Sequence, residues 1–380
     1  MAKKRQAATS TKTIGQDVLV QDGVLDINEA AEVVPFTYAI TAFGADYPVS
    51  SLVQRIKEKA IFVPLFSLPT KAKSGEVRFQ REYVWKKQQA DRFIESLLLG
   101  LPVPGIFLVK EEDGRNLVLD GHQRLKTLAR FYENDWEGGE FVLDGVQERF
   151  RGKGYKSLES PDRRRLDDSV IHATVIRQDE PSEDKSSIYL IFERLNSGGT
   201  SLQPQEIRVA LYHGPFVQLL TELNMLESWR KLFGRRSSRL KDVELILRFF
   251  SLLEAFKRYS RPMKGFLSAY MARRRNLDSR VQREFRDLFE ATCEAILKGI
   301  GRKAFRLKVA VNAALVDALM VGVAARIQNK GPIKKSKRLK IAYQRLLRNM
   351  SFQRSISRAT ADEENVRTRL RLGIRAFKKI

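Results

Sequence analysis

The sequence predicts an α+β chain, a mixed α/β half followed by an all-helical half, on three observations. Strand-like stretches are confined to the region before residue 182, with glycine-rich turns between them. From Ser182 onward the apolar residues recur at helical spacing, with almost no strand signal. Charge divides the same way: residues 1–200 hold 29 Lys and Arg against 30 Asp and Glu, and residues 201–380 hold 40 against 15.

Residues 1–34, with a basic, Thr-rich start and few aromatics, predict a mobile N-terminal arm. Residues 35–181 are then the mixed domain and residues 182–380 the helical one. Leu52, Ile56 and Ala60 are spaced for a short helix, and Pro64 and Pro69 punctuate the apolar run that follows. Val77 to Trp85 reads as extended. Lys87 to Leu99 places Ala90, Phe93, Ile94, Leu97 and Leu98 on one helical face, and Gly100 stops it.

Val103 to Val109 and Leu117 to Leu119, separated by a polar turn with Gly114, predict a hairpin. Its second strand runs into Asp120-Gly121, after which Leu125, Leu128, Ala129 and Tyr132 resume helical spacing. Phe141 to Leu143 and Ile171 to Arg177 read as strands around a small helix introduced by Ser160-Pro161. Ile188, Ile191, Phe192 and Leu195 mark a helix ended by Asn196-Ser197-Gly198-Gly199, and Pro204 opens the next. Further helices are expected over about 215–232, 240–258, 263–275, 279–299, 303–328 and 336–349. No fixed-period repeat indicates a solenoid.

The net charge of +24 lies entirely in the second half. Such a surface is driven onto a polyanion by counterion release, and nucleic acid is the commonest one. One cysteine, Cys293, excludes an internal disulfide framework. The start carries no secretory apolar segment, and no apolar run nears the roughly 18–20 residues that span a bilayer. A cytoplasmic protein without a membrane partner is expected.

The segment Asp120-Gly121-His122-Gln123-Arg124 joins a strand to a helix through glycine. Such a corner aims the unpaired N–H groups and positive dipole end of the helix at the space above the turn, which suits phosphate. Gly121 would let a ligand approach the backbone, Arg124 could fork onto two phosphate oxygens, and His122 and Gln123 could donate further bonds. Asp120 with Gln123 three residues on is also close to a capping box, which needs no ligand. From these residues alone the two readings stand even. The chain contains neither a G-x-x-x-x-G-K-[ST] nor a G-x-G-x-x-G sequence.

Four blocks carry a resemblance. Phe79-Gln80-Arg81-Glu82-Tyr83-Val84-Trp85, then Ile94-Glu95-Ser96-Leu97 with Pro102-Val103-Pro104, then Leu119 to Leu125, and Phe192-Glu193-Arg194-Leu195-Asn196 with Gln205-Glu206-Ile207-Arg208, resemble the N-terminal domain of GmrSD-type modification-dependent restriction systems. Met263 to Met271 and Asn312 to Leu319 fit the helical part of that family, so the similarity is read from about residue 50 to about 360. The resemblance implies a ParB/sulfiredoxin-like core that binds a nucleoside triphosphate, with or without Mg2+, and whose hydrolysis licenses a nuclease. The family motif usually reads Asp-Gly-Gln-Gln-Arg. His122 replaces its first glutamine, which preserves a phosphate donor and puts hydrolysis in doubt.

By the same resemblance Asp120 and Gln123 are the catalytic candidates, Asp120 orienting the turn or holding a metal-bound water. Arg81, Gly121, His122, Gln123, Arg124, Glu193 and Asn196 would bind the nucleotide; no metal ligand is assigned. Glu193 and Asn196 share a helix face at i, i+3 and would either complete the pocket or brace the junction to Pro204. Tyr83 and Trp85 would stack on a base or, the favoured reading, join the core.

An HNH-type nuclease needs histidines, and the chain has only His122, His172 and His213. The expected function is therefore a nucleotide-binding, NTP-hydrolysing sensor or regulator that binds DNA through its helical half and acts on a separate nuclease. The alternatives are a ParB-like metal-dependent DNA nuclease and a non-catalytic, nucleotide-gated DNA clamp.

Overall fold

The computed structural model describes residues 18–21, 23–27, 39–63, 70–71, 77–78, 83, 85–180, 186–195, 202–334 and 336–380. The chain is mixed α/β and mostly helical, and it divides into two compact units. One comprises Met1–Pro35, Gln203–Glu206 and Gly214–Ile380; the other comprises Phe36–Leu202 and Ile207–His213. The sequence placed the boundary at 181, whereas the division falls after 202.

The described elements begin with a hairpin, β1 (Val18–Gln21) and β2 (Val24–Ile27), within the stretch expected to be a mobile arm. Residues 1–17, 22 and 28–34 of that expectation lie outside the described residues. The hairpin is ordered by partners far along the chain. Val24 and Leu25 pair with Val311 and Asn312, and the Asp26 carboxylate is buried against Lys241 and Arg248.

The α/β unit is built on β3 (Ala39–Pro48), α1 (Val49–Lys57), β4 (Ile61–Phe62), the short pair β5 (Thr70–Lys71) and β6 (Val77–Arg78), and α2 (Lys87–Leu99). It continues with β7 (Ile106–Lys110), β8 (Asn116–Asp120), α3 (His122–Glu133), α4 (Ser160–Asp168), β9 (Val170–Glu180) and α5 (Ser186–Leu195). Its sheet runs β3-β9-β7-β8-β4. β7 is antiparallel to β8, as the hairpin reading expects, and parallel to β9.

Alternation puts Ile171, Ala173 and Val175 of β9 on one face, where they meet Ile106, Leu108 and Val118. The apolar stripes of α1, α2 and α3 close over that face with Leu52, Ile94, Leu98, Leu125 and Phe131. Helix α5 packs on β8 and β9. Phe141 and Leu143, expected in a strand, are buried without one. Leu143 exchanges backbone hydrogen bonds with Gly152 and Lys153 in a local loop instead of joining a ladder.

The division between the units passes through α6 (Pro204–Leu211). The helical unit then carries α7 (Pro215–Leu223), α8 (Glu227–Phe233), α9 (Lys241–Ala255), α10 (Met263–Arg274) and α11 (Ser279–Gly299). After β10 (Val311–Asn312) come α12 (Ala313–Lys330), α13 (Ser336–Arg348), α14 (Met350–Ser355) and α15 (Glu363–Phe377). The helix expected over 215–232 is broken at Asn224 to Leu226, and the one expected from 303 starts at Ala313.

Helix α12 is the centre of this unit. Every residue from Ala313 to Ala324 is buried, and α9, α11 and α15 pack around it. Its crossing with α15 is set by glycine: a Cβ on Gly373 would lie 2.5 Å from the Ala318 carbonyl oxygen, and one on Gly322 would lie 2.7 Å from the Gly373 backbone. Beside it sits a chain of buried charges. Asp317 accepts from Arg248 and Arg369, Asp26 accepts from Arg248 and Lys241, and Lys241 also meets Glu244 at 2.6 Å. Three cations and three carboxylates thus close on one another out of water. Burial opposes the Arg248 charge, but Asp26 and Asp317 outweigh it and hold its pKa well above the usual guanidinium value. Arg369 has only the shared Asp317, and burial leaves its pKa lowered.

Among the described residues no helix is long and apolar enough to cross a membrane.

Candidate functional site

The five-residue corner forms as a strand, a turn and a helix. β8 ends at Asp120, Gly121 is the N-cap with φ +93°, and α3 begins at His122. That φ lies in the left-handed region that favours glycine. A Cβ there would also lie 2.4 Å from Cγ2 of Ile106. Gly121 is therefore required by the close approach of the turn to β7, whether or not a ligand approaches too.

The capping box does not form. The N-cap is Gly121, which has no side chain to cap α3, and Asp120 turns to Arg124, whose Nη2 donates to it at 2.8 Å and to the Gly105 carbonyl at 2.9 Å. Arg124 is 14% exposed and Asp120 46%. The guanidinium thus ties the end of β8 to the start of β7. Its Nε is buried with no hydrogen-bond partner among the described residues. Asp120 is the open side of the pair.

His122 and Gln123 are both under a tenth exposed, and they bond each other. The Trp85 backbone N–H donates to Oε1 of Gln123 at 3.4 Å, which turns the amide nitrogen toward Nε2 of His122 at 2.7 Å. An amide nitrogen only donates, so this His122 nitrogen accepts and the neutral ring carries its proton on Nδ1. Behind them the Thr127 hydroxyl donates to the Gln123 carbonyl and shares a hydrogen bond with the Tyr83 hydroxyl at 2.7 Å. The Arg130 guanidinium lies 4.2 Å from the centre of the Tyr83 ring. Burial, then Arg130, pushes the Lys126 amine down to about 8.

Trp85 packs edge-to-face on Phe93 at 5.6 Å and against the core, in keeping with the core reading of this aromatic. Glu193 lies on α5, the helix that touches β8 and β9. Arg81 and Asn196 lie outside the described residues, so five of the seven proposed nucleotide-binding positions have a described place and four of them form the corner itself.

Residues 49–213 match the model of a family described as the GmrSD restriction endonuclease, N-terminal domain. This stretch is a GmrSD-type N-terminal domain. The match covers the corner and every candidate site residue, and it ends at 213, short of the helical blocks that the sequence resemblance included up to about 360. No curated protein matches the chain.

Two features of the GmrSD-type domain were not singled out in the sequence. Lys126 is one, and it shows there only as a cation on an amphipathic helix. The other is a His–Asp pair, in which His172 Nδ1 lies 2.8 Å from Asp46 across the β3/β9 ladder, both exposed. A Cβ on Gly44 would lie 2.8 Å from the imidazole, so that glycine makes room for the ring. The pair is 126 residues apart in sequence and has no local signature. Among the described residues no group of three or more His, Cys, Asp or Glu could hold a metal ion.

Proposed function

We propose that this chain is the nucleotide-binding, DNA-binding component of a restriction or phage-defence system. In this reading its ParB/sulfiredoxin-like core binds, and slowly hydrolyses, a nucleoside triphosphate to control a separate nuclease. The observation that carries the reading is the corner: a GmrSD-type domain in which a strand enters α3 through Gly121, an N-cap without a side chain, with Arg124 beside it. A phosphate above that terminus meets the positive dipole end and orphan N–H groups of α3.

Asp120 is the group that responds to the ligand. Phosphate oxygens would compete with its carboxylate for Arg124, and Asp120 would offer one carboxylate ligand to a Mg2+ carried by the triphosphate. His122 and Gln123 act as positioning residues in this reading, since the Gln123 amide bonds His122 and the Trp85 N–H. That inward bonding favours slow turnover, so a nucleotide-gated clamp is the second reading. Residues 214–380 contain no histidine, so this stretch does not itself supply an HNH-type nuclease.

Calorimetric titration with ATP and GTP, followed by phosphate release with and without DNA, tests the reading. Arg124→Ala should weaken triphosphate binding by roughly 1.5–3 kcal/mol, the range for a charge-assisted hydrogen-bonded pair. Arg124 also holds Gly105, so circular dichroism and Arg124→Lys accompany it. Absence of triphosphate binding by the wild-type chain refutes the proposal, and tight binding without phosphate release selects the clamp.

A further inference from the structure

Helices α13 and α15 contact each other and frame a groove of about 720 Å³. Arg338, Ile341 and Arg345 stand on the α13 side at i, i+3 and i+7, and Leu372, Arg375 and Lys379 repeat that spacing on the α15 side. On α13 two cations flank an apolar residue, and on the other side Arg375 stands on α15 and Lys379 just past its end at Phe377. All four cations are exposed, none is in an ion pair among the described residues, and no Asp or Glu side chain among those residues lines the groove. Ile341 is 48% exposed, an apolar surface held open between the charged rims.

We propose that this groove is the DNA-binding surface, gripping the phosphodiester backbone between the two cationic stripes. The inference deepens the DNA-binding part of the function proposed above and rests on it.

Charge complementarity selects the occupant. Arg338 and Arg345 are separated by about 10 Å of helix rise, and Arg375 and Lys379 stand four residues apart on the facing side, so the groove offers positive charge along two edges. A backbone with one phosphate per nucleotide meets positive charge along both edges, and the exposed Ile341 and half-buried Leu372 suit sugar or base surface. An acidic peptide would need backbone partners as well. Asn349, the one neutral polar side chain lining the groove among the described residues, already uses its Oδ1 to cap α14 through the Phe352 N–H.

A second basic cleft in the same unit, around Arg235, Arg236 and Arg306, is less suited. There Arg306 donates to the Leu232 and Phe233 carbonyls and Arg236 to the Met225 sulfur, so two of its three arginines are already engaged.

The test is fluorescence anisotropy of the full chain with labelled duplex DNA between 50 and 200 mM salt. Each lost phosphate contact reduces the slope of log K against log salt by about 0.9, so Arg345→Ala/Arg375→Ala should flatten it by about 1.8. Over that fourfold salt range the wild-type affinity should then fall about 12-fold further than that of the variant. Lys257→Ala/Arg258→Ala, which removes the same exposed charge elsewhere in the unit, should leave the slope unchanged.

Equal flattening by both pairs of substitutions overturns the groove assignment in favour of diffuse charge, as does wild-type binding by the groove variant. Binding to anionic vesicles or polyglutamate, lost in the groove variant while DNA binding persists, also overturns it. If the wild-type chain binds no DNA, the DNA part of the proposed function fails first and takes the groove with it, whereas triphosphate titration continues to report on the corner alone.

Discussion

The buried charge chain makes the sharpest prediction about the helical unit. Asp317 accepts from Arg248 Nε at 3.1 Å, from Arg248 Nη2 at 2.6 Å and from Arg369 Nη2 at 2.7 Å. In Asp317→Asn, Arg248 keeps Asp26 at 2.7 and 2.8 Å, but Arg369 keeps only the Thr360 carbonyl. A fully buried guanidinium is then left without a counter-charge, which costs about 3–5 kcal/mol. An exposed pair such as Arg280–Glu284, with side chains 82% and 59% accessible, contributes about 0–1 kcal/mol.

The assay is urea denaturation followed by the fluorescence of Trp229, which is buried in the helical unit. Trp85→Phe and Trp136→Phe remove the two tryptophans of the other unit from the signal. With a slope of about 2 kcal/mol/M, a loss of about 4 kcal/mol lowers the midpoint by about 2 M. Asp317→Leu with Arg369→Met should recover most of that loss, because an apolar pair needs no compensation. A midpoint shift in Asp317→Asn no larger than that of Glu284→Gln refutes the reasoning.

Other outcomes follow from single positions. Gly121→Ala should destabilise the α/β unit by about 1–3 kcal/mol, from its φ of +93° and the overlap with Ile106, and lower its melting temperature even without a ligand. Gly373→Ala should cost at least about 1–3 kcal/mol, seen as a lower melting temperature of the helical unit, because the Cβ meets the Ala318 backbone, which cannot swing aside like a side chain. Lys126, pushed down to about 8, stays protonated at a higher pH in the unfolded chain than in the folded one. Its contribution therefore disfavours folding below pH 8 and improves as pH rises from about 8 toward the unfolded value of about 10.4. Denaturation midpoints of wild type and Lys126→Met at pH 7 and 9.5 should show wild type gaining relative to the variant, and a constant difference contradicts the assignment.

Local pattern made much of the α/β unit readable. The stripe Ala90, Phe93, Ile94, Leu97 and Leu98 and the stop at Gly100 appear as α2, and the hairpin and the Gly121 turn appear as β7, β8 and α3. Those features follow from side-chain period and backbone preference, which neighbours in sequence carry. The boundaries 224–226 and 303–312 were missed because apolar residues at helical spacing continue across them.

The corner shows the limit most clearly. Sequence placed Asp120, Gly121, His122, Gln123 and Arg124 at a strand-to-helix turn, but could not say what each side chain touches. The partners of Arg124 and Gln123 lie at Gly105 and Trp85, and that of Asp26 at Arg248, more than two hundred residues along the chain. Sequence by itself determined the order of strands and helices, the turn at Gly121 and the concentration of positive charge in the second half. Only the tertiary structure decided that Gln123 faces inward, that the N-terminal hairpin is held by buried charge and that four cations share one groove. Those outcomes depend on which distant groups meet out of water, where an unmatched charge or donor is costly and the low dielectric selects a specific partner.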